Sequence, residues 1–301
     1  MSRFQTLLLR EWLQHKFAWS LMVLIPLTLG LMLTGVGEVQ FDDTPPIELP
    51  MLVTLATVAG TSISLGVIAA IAALITITGL ARRDHADRSH EFWLSMPIGH
   101  ASAFAAPLLV HLLIVPVAAM AIGWLAGLVL SMVLTSRIAG FGAWLSLPWG
   151  TIVVGTLSVI GRIAAGLPLA LLWLSPLILS VVLLCAWFRR WGLVIFAVAL
   201  LAAALAATQV FGSPWPAETV AAIVRQAGLA LVTPEDGGGM VVHNGEDAMA
   251  ALAMAPSWAA QNFGLALTRL VSPLLLGGLI VAAGCFVALM DWRRRGVGGA
   301  A

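Results

Sequence analysis

Six runs of apolar residues, 17–36, 51–80, 101–135, 166–187, 192–211 and 271–290, contain no Asp, Glu, Lys or Arg. Apart from two cysteines, His111 is their only ionisable side chain. A helix of about 20 such residues matches the ~30 Å hydrocarbon core of a bilayer, and there only helices and closed barrels satisfy the backbone. The runs therefore predict an all-α, polytopic membrane protein with six transmembrane helices in a single domain over residues 1–301. The composition agrees: 60% of residues are hydrophobic and 10% charged, with a mean hydropathy of +1.02, a surface that water does not solvate. The second and third runs exceed the hydrocarbon thickness, so their ends are expected to project or tilt. A net charge of +1 supplies no bulk field for nucleic acid.

The basic residues set the expected orientation. Arg3, Arg10, Lys16, Arg82, Arg83, Arg88, Arg189, Arg190, Arg293, Arg294 and Arg295 share one side of a six-span arrangement, against Arg137, Arg162, Arg225 and Arg269 on the other. Both termini are then cytoplasmic. Glu38, Asp42, Asp43, Glu48, Glu218, Glu235, Asp236, Glu246 and Asp247 collect on the opposite side. Residues 136–165, rich in Gly and Trp and holding Pro148, are expected at the outer interface. Residues 212–270 read as a small external helical loop, with helix-like pieces at 217–231 and 247–255 around PEDGGGMVVHNGED. Trp19, Trp187, Trp191, Trp215 and Trp292 fall near span ends, as membrane anchors do.

Ahead of the first span, residues 2–16 place Phe4, Leu7, Leu8 and Trp12 at helical spacing, with Arg3, Arg10, Glu11 and Gln14 on the other side. An apolar stripe is wasted in water, which favours an interfacial helix over a cytosolic extension of the first span. The first run lacks a small-residue cleavage pattern, so it is expected to stay in the mature chain.

The sequence offers little for catalysis. Its one lysine, Lys16, has no glycine near it, so the chain does not carry the phosphate loop of an ATPase. The six histidines fall on different segments without a ligand-pair motif, and solvated or interfacial roles are expected for them rather than a metal site. Cys185 and Cys285 lie in apolar runs and read as core residues. No intramembrane acid or base marks a proton- or ion-coupled pathway. Residues 81–100, ARRDHADRSHEFWLSMPIGH, are the informative polar segment: alternating charges, then Phe92, Trp93, Leu94 and Met96, closed by Pro97. A partner-docking helix and a solvated tether between two spans both fit that composition.

The string Asp87-Arg88-Ser89-His90-Glu91-Phe92-Trp93-Leu94-Ser95-Met96-Pro97-Ile98 resembles the cytoplasmic motif of ABC type-2, exporter-like transporter permeases, including permeases of the multi-copper enzyme maturation type. There too the motif joins the second and third of six spans and follows an N-terminal elbow helix, here residues 2–16 with Phe4, Leu8 and Trp12. The resemblance implies a permease subunit in a bacterial-type inner membrane, paired with a second permease copy or paralogue and surrounded by membrane lipid. Separate cytosolic ABC ATPase subunits would bind ATP and Mg, while this chain holds no cofactor. Arg88, Glu91, Phe92, Trp93, Leu94, Met96 and Pro97 would form the coupling helix, and Phe188, Arg189 and Arg190 a second ATPase contact. The function implied is export or flipping of a substrate. A mechanotransmitting or scaffold subunit, acting on a periplasmic partner without moving a solute, is the alternative.

Overall fold

The computed structural model describes residues 3–34, 48–86, 100–234 and 245–298, and among these there are helices and no strand. In chain order they are α1 (Arg3–Leu33), α2 (Leu49–Ala86), α3 (His100–Leu109), a π turn (Val110–Ile114), α4 (Val115–Ala139), α5 (Phe141–Leu145), α6 (Trp149–Phe188), a 3-10 turn (Arg189–Trp191), α7 (Gly192–Phe211), α8 (Trp215–Leu231), α9 (Gly245–Thr268) and α10 (Pro273–Gly298). Among the described residues, five stretches are long and apolar enough to cross a membrane: Gln5–Met32, Leu49–Leu80, Ala101–Ala139, Trp149–Phe211 and Pro273–Trp292. The fourth, 63 residues long, contains both α6 and α7. It is broken where Arg189 takes φ 57°, a left-handed conformation that no continuous helix accommodates.

Two elements differ from expectation. The elbow helix expected at residues 2–16 is not a separate element, because α1 runs unbroken from Arg3 to Leu33. Neither Gly nor Pro occurs between residues 4 and 25, so nothing at the polar–apolar junction interrupts the hydrogen-bond ladder. The fourth run was expected to begin at residue 166, yet α6 begins at Trp149 and its 40 residues span about 60 Å. Two glycines of its first half, Gly155 and Gly166, serve close packing rather than turns. A Cβ on Gly155 would stand 2.8 Å from Leu252 Cβ, and one on Gly166 would stand 2.9 Å from Leu231 Cα. They let α9 and α8 lie directly on the α6 backbone.

The most extensive pairing joins α2 and α4, which run antiparallel. Thr54 Oγ1 meets Thr135 Oγ1 at 3.2 Å, Thr61 Oγ1 donates to the Gly123 carbonyl at 2.9 Å, and Ser62 Oγ donates to the Met120 carbonyl at 2.8 Å. Gly123 and Gly127, four apart on one face, admit the α2 backbone, since an added Cβ would fall 2.8 Å from Ser62 Cα and 2.7 Å from Val58 Cα, respectively. Small residues at this spacing, with hydroxyls bonded across the seam, are how helices associate where lipid supplies no hydrophobic drive.

The long α6 is covered in two halves. Leu252 of α9 meets Gly155 and Asn262 of α9 meets Arg162, so α9 runs parallel to its first half. Beyond it, Gly278 packs on Pro176, and Leu289 and Met290 join Val182 and Ala186 in one cluster, so α10 covers the second half. The changeover, at residues 269–272, lies beside the cluster of Leu169, Ala170 and Trp173 with Ala266 and Leu275.

Candidate functional site

One end of the bundle gathers the segments that flank the charged connection. Ile77 and Leu80 at the end of α2, Phe104 near the start of α3, Val182 and Ala186 of α6, and Leu289 and Met290 of α10 form a single buried cluster. Just beyond it the chain turns through Arg189 and Arg190, which are exposed, with Phe188 and Trp191 about half-exposed beside them. The turn is tight because Gly192 lies against the backbone of Cys185, where an added Cβ would meet Cys185 Cα at 2.6 Å. A cavity of about 320 Å³ opens there between Thr78, Gly79, Cys185, Arg189, Arg190 and Leu193. The helical backbone of α2 continues past Leu80 to Ala86, and that of α10 continues through Arg293, Arg294 and Arg295, so the basic segments at the ends of α2, α6 and α10 leave from the same region.

The opposite end is acidic. A wider cleft of about 920 Å³ is lined there by Glu48 just ahead of α2, Met51 of α2, Ile138 of α4, Ser146 and Pro148 after α5, and Glu246 of α9. Arg137 of α4 donates from Nη1 to the Thr34 carbonyl at the end of α1. Trp144 and Trp149, with ring centroids 4.5 Å apart, flank the residues between α5 and α6.

The residues expected to couple to an ATPase divide into two groups. Arg88, Glu91, Phe92, Trp93, Leu94, Met96 and Pro97 lie outside the described residues, while Phe188, Arg189 and Arg190 form the exposed turn just described. The elbow residues lie on the first turns of α1. Leu8 packs against the cluster formed by Leu65, Ala69, Val110, Val115 and Ala119, whereas Trp12 is 55% exposed. Phe4 belongs to the helix, and its side chain is not described.

The polar face expected for residues 2–16 is turned inward at one position. Glu11 is buried, at 1% exposure, against His111, at 2%. Glu11 Oε2 stands 3.4 Å from His111 Nε2 and 3.9 Å from His15 Nε2. The ring centroids of His15 and His111 are 4.8 Å apart, and Trp19 stacks on His15 at 5.8 Å and meets His111 edge-on at 5.7 Å. One ligand atom from each of Glu11, His15 and His111 lies within 4.8 Å of the others. The π turn positions His111: the Val115 amide bonds back to the Val110 carbonyl, five residues earlier, and Pro116 follows without an amide to restore the α-helical ladder. Solvated or interfacial roles for all six histidines thus do not hold for His111. The available signal was Glu11 and His15 at a four-residue interval, a carboxylate and an imidazole on one helix face.

A second buried polar group sits in α6. Arg162, 3% exposed, donates from Nε to Asn262 Oδ1 at 2.9 Å, from Nη1 to the Ala230 carbonyl at 3.1 Å and from Nη2 to the Asn262 carbonyl at 3.3 Å. Asn262 is itself fixed, accepting from the Thr233 amide at 3.1 Å and donating to the Thr233 carbonyl at 2.6 Å. Arg162 therefore caps the C-terminal end of α8 and binds both α8 and α9 to α6.

No family model, curated protein or solved structure matches this chain.

The groups themselves carry the reading of the site. The exposed turn at Arg189 and Arg190 can bind an acidic or apolar partner surface, and the Arg162 clamp can pass movement of α6 to α8 and α9. The Glu11–His15–His111 cluster offers two imidazole nitrogens and a carboxylate to one ligand.

Proposed function

We propose that this chain is the membrane-spanning permease subunit of an ABC transporter of the type-2, exporter-like family, driven by separate cytosolic ATPase subunits that bind ATP and Mg. The observation that carries this reading is the convergence, at one end of the bundle, of the helix ends flanking residues 87–99, the Arg189–Arg190 turn and the stem of α10. An element that transmits motor movement must sit where several helices respond together, and the charged connection leaves from such a place. By the bias of basic residues this end faces the cytoplasm and both termini lie there, in an inner membrane crossed six times by α1, α2, α3 with α4, α6, α7 and α10. Arg88, Glu91, Phe92, Trp93, Leu94, Met96 and Pro97 make the coupling helix, and Phe188, Arg189 and Arg190 form the second contact. Exposed apolar side chains such as Leu193, Val198, Leu201 and Leu205 on α7 meet lipid or a second permease subunit.

The test is co-purification. Phe92→Asp with Leu94→Asp removes the apolar ridge that seats in an ATPase groove, so the variant is expected to lose the ATPase on affinity purification while still entering the membrane. Unchanged complex formation and ATP turnover would overturn the assignment. A second reading has its own support. Arg162 ties the external α8 and α9 to the same α6 that ends at the basic turn, a linkage suited to a mechanotransmitter that moves a periplasmic partner without carrying a solute.

A further inference from the structure

Glu11 and His15 present their side chains from one face of α1, and His111 reaches the same point from the π turn between α3 and α4. We propose that these three residues form a binding site for one divalent first-row transition-metal ion of the zinc class. The inference is independent of the transport reading.

The donor set is the first ground. Imidazole nitrogens with a carboxylate oxygen suit zinc and its neighbours, whereas calcium and magnesium take oxygen ligands. The spacing is the second. Metal–ligand bonds of about 2.0–2.1 Å in a tetrahedral arrangement put neighbouring ligand atoms about 3.3 Å apart. Glu11 Oε2 stands 3.4 Å from His111 Nε2 and 3.9 Å from His15 Nε2, and the three ligand atoms lie within 4.8 Å of one another, so closure around an ion draws the two imidazoles toward each other by at most about 1.5 Å. Third, His111 Nε2 is buried and makes no hydrogen bond, although it faces a carboxylate. An imidazole nitrogen enclosed in that way is poised to ligate.

The surroundings favour retention of an ion. Trp19 packs on both imidazoles, and Trp12 lies against Trp19 with centroids 5.6 Å apart, which fixes the ring planes on the apolar side. The His15 side chain remains 26% exposed, leaving an approach from the polar end of α1. Three protein donors leave a fourth coordination position for water or a further ligand. The ion fastens α1 to the helix that leads away from residues 87–99.

The experiment uses the full chain, purified without a histidine tag, in lipid nanodiscs. After incubation with Zn²⁺ and gel filtration, elemental analysis should find one zinc per chain. Co²⁺ in its place should give the visible absorption of a tetrahedral nitrogen–oxygen site. Glu11→Gln and His111→Asn should each weaken Zn²⁺ binding by about 100-fold or more, measured against a chromophoric chelator. Zn²⁺ should also raise the melting temperature of the wild-type chain and leave that of the variants unchanged. A wild-type chain that retains no zinc above background overturns the proposal, as do variants that retain it fully. Should a variant fail to fold, the zinc stoichiometry and Co²⁺ spectrum of the wild type decide the matter alone.

Discussion

A buried arginine is costly unless its donors find acceptors, and each of the three guanidinium nitrogens of Arg162 donates a hydrogen bond, to two helices in all. Lysine keeps the charge but has a single nitrogen at the tip and cannot reach Asn262 and Ala230 together. Arg162→Lys is therefore expected to destabilise the chain by roughly 2–4 kcal/mol, read as an earlier thermal transition in detergent or nanodiscs. A variant that melts with the wild type would show that the clamp contributes nothing. The sequence marks Arg162 only as a basic residue among glycines and tryptophans. Its partners, Asn262 and the Ala230 carbonyl, lie 100 and 68 residues away, and no local pattern encodes such a meeting. Glu11 was masked in another way. Its place among Arg3, Arg10 and Gln14 reads as a solvated face, and only the packing of α1 against Val110 and Leu65 turns it inward.

The helices were legible as elements where apolar runs exceed about 18 residues, because length and hydropathy decide them without reference to partners. The second, fourth and fifth runs each lie within one helix, and the pieces at 217–231 and 247–255 fall inside α8 and α9. The first half of α6 was not legible, since glycine in a window of Trp and Pro looks like a turn former. Its role as a contact surface for α8 and α9 depends on tertiary packing. The same logic governs α2 and α4, whose register rests on small residues and hydroxyls. With Cys185 and Cys285 replaced by alanine, Thr54→Cys with Thr135→Cys should cross-link rapidly in oxidised membranes, because the native hydroxyls stand 3.2 Å apart. Absence of the cross-link would mean that the two helices are in a different register.

At the scale of the whole molecule, charge separation is the feature that sequence and structure share. The acids Glu48 and Glu246 line a cleft at one end, and Arg189 and Arg190 mark the other. In the same cysteine-free background, a membrane-impermeant thiol reagent applied to intact cells should label Glu246→Cys and spare Arg190→Cys. The reverse pattern would invert the proposed topology and place residues 87–99 on the outer side. The positions of the charged residues made this separation readable in the sequence.

The division of α6 between two covering helices has a mechanical consequence. Pro168 and Pro176 lie inside α6, and each deprives a carbonyl four residues earlier of its usual amide. The changeover from α9 to α10 falls at that same height. A rod notched where its splint is jointed has its lowest bending stiffness there, so any swing between the two ends of this molecule will pivot around Trp173.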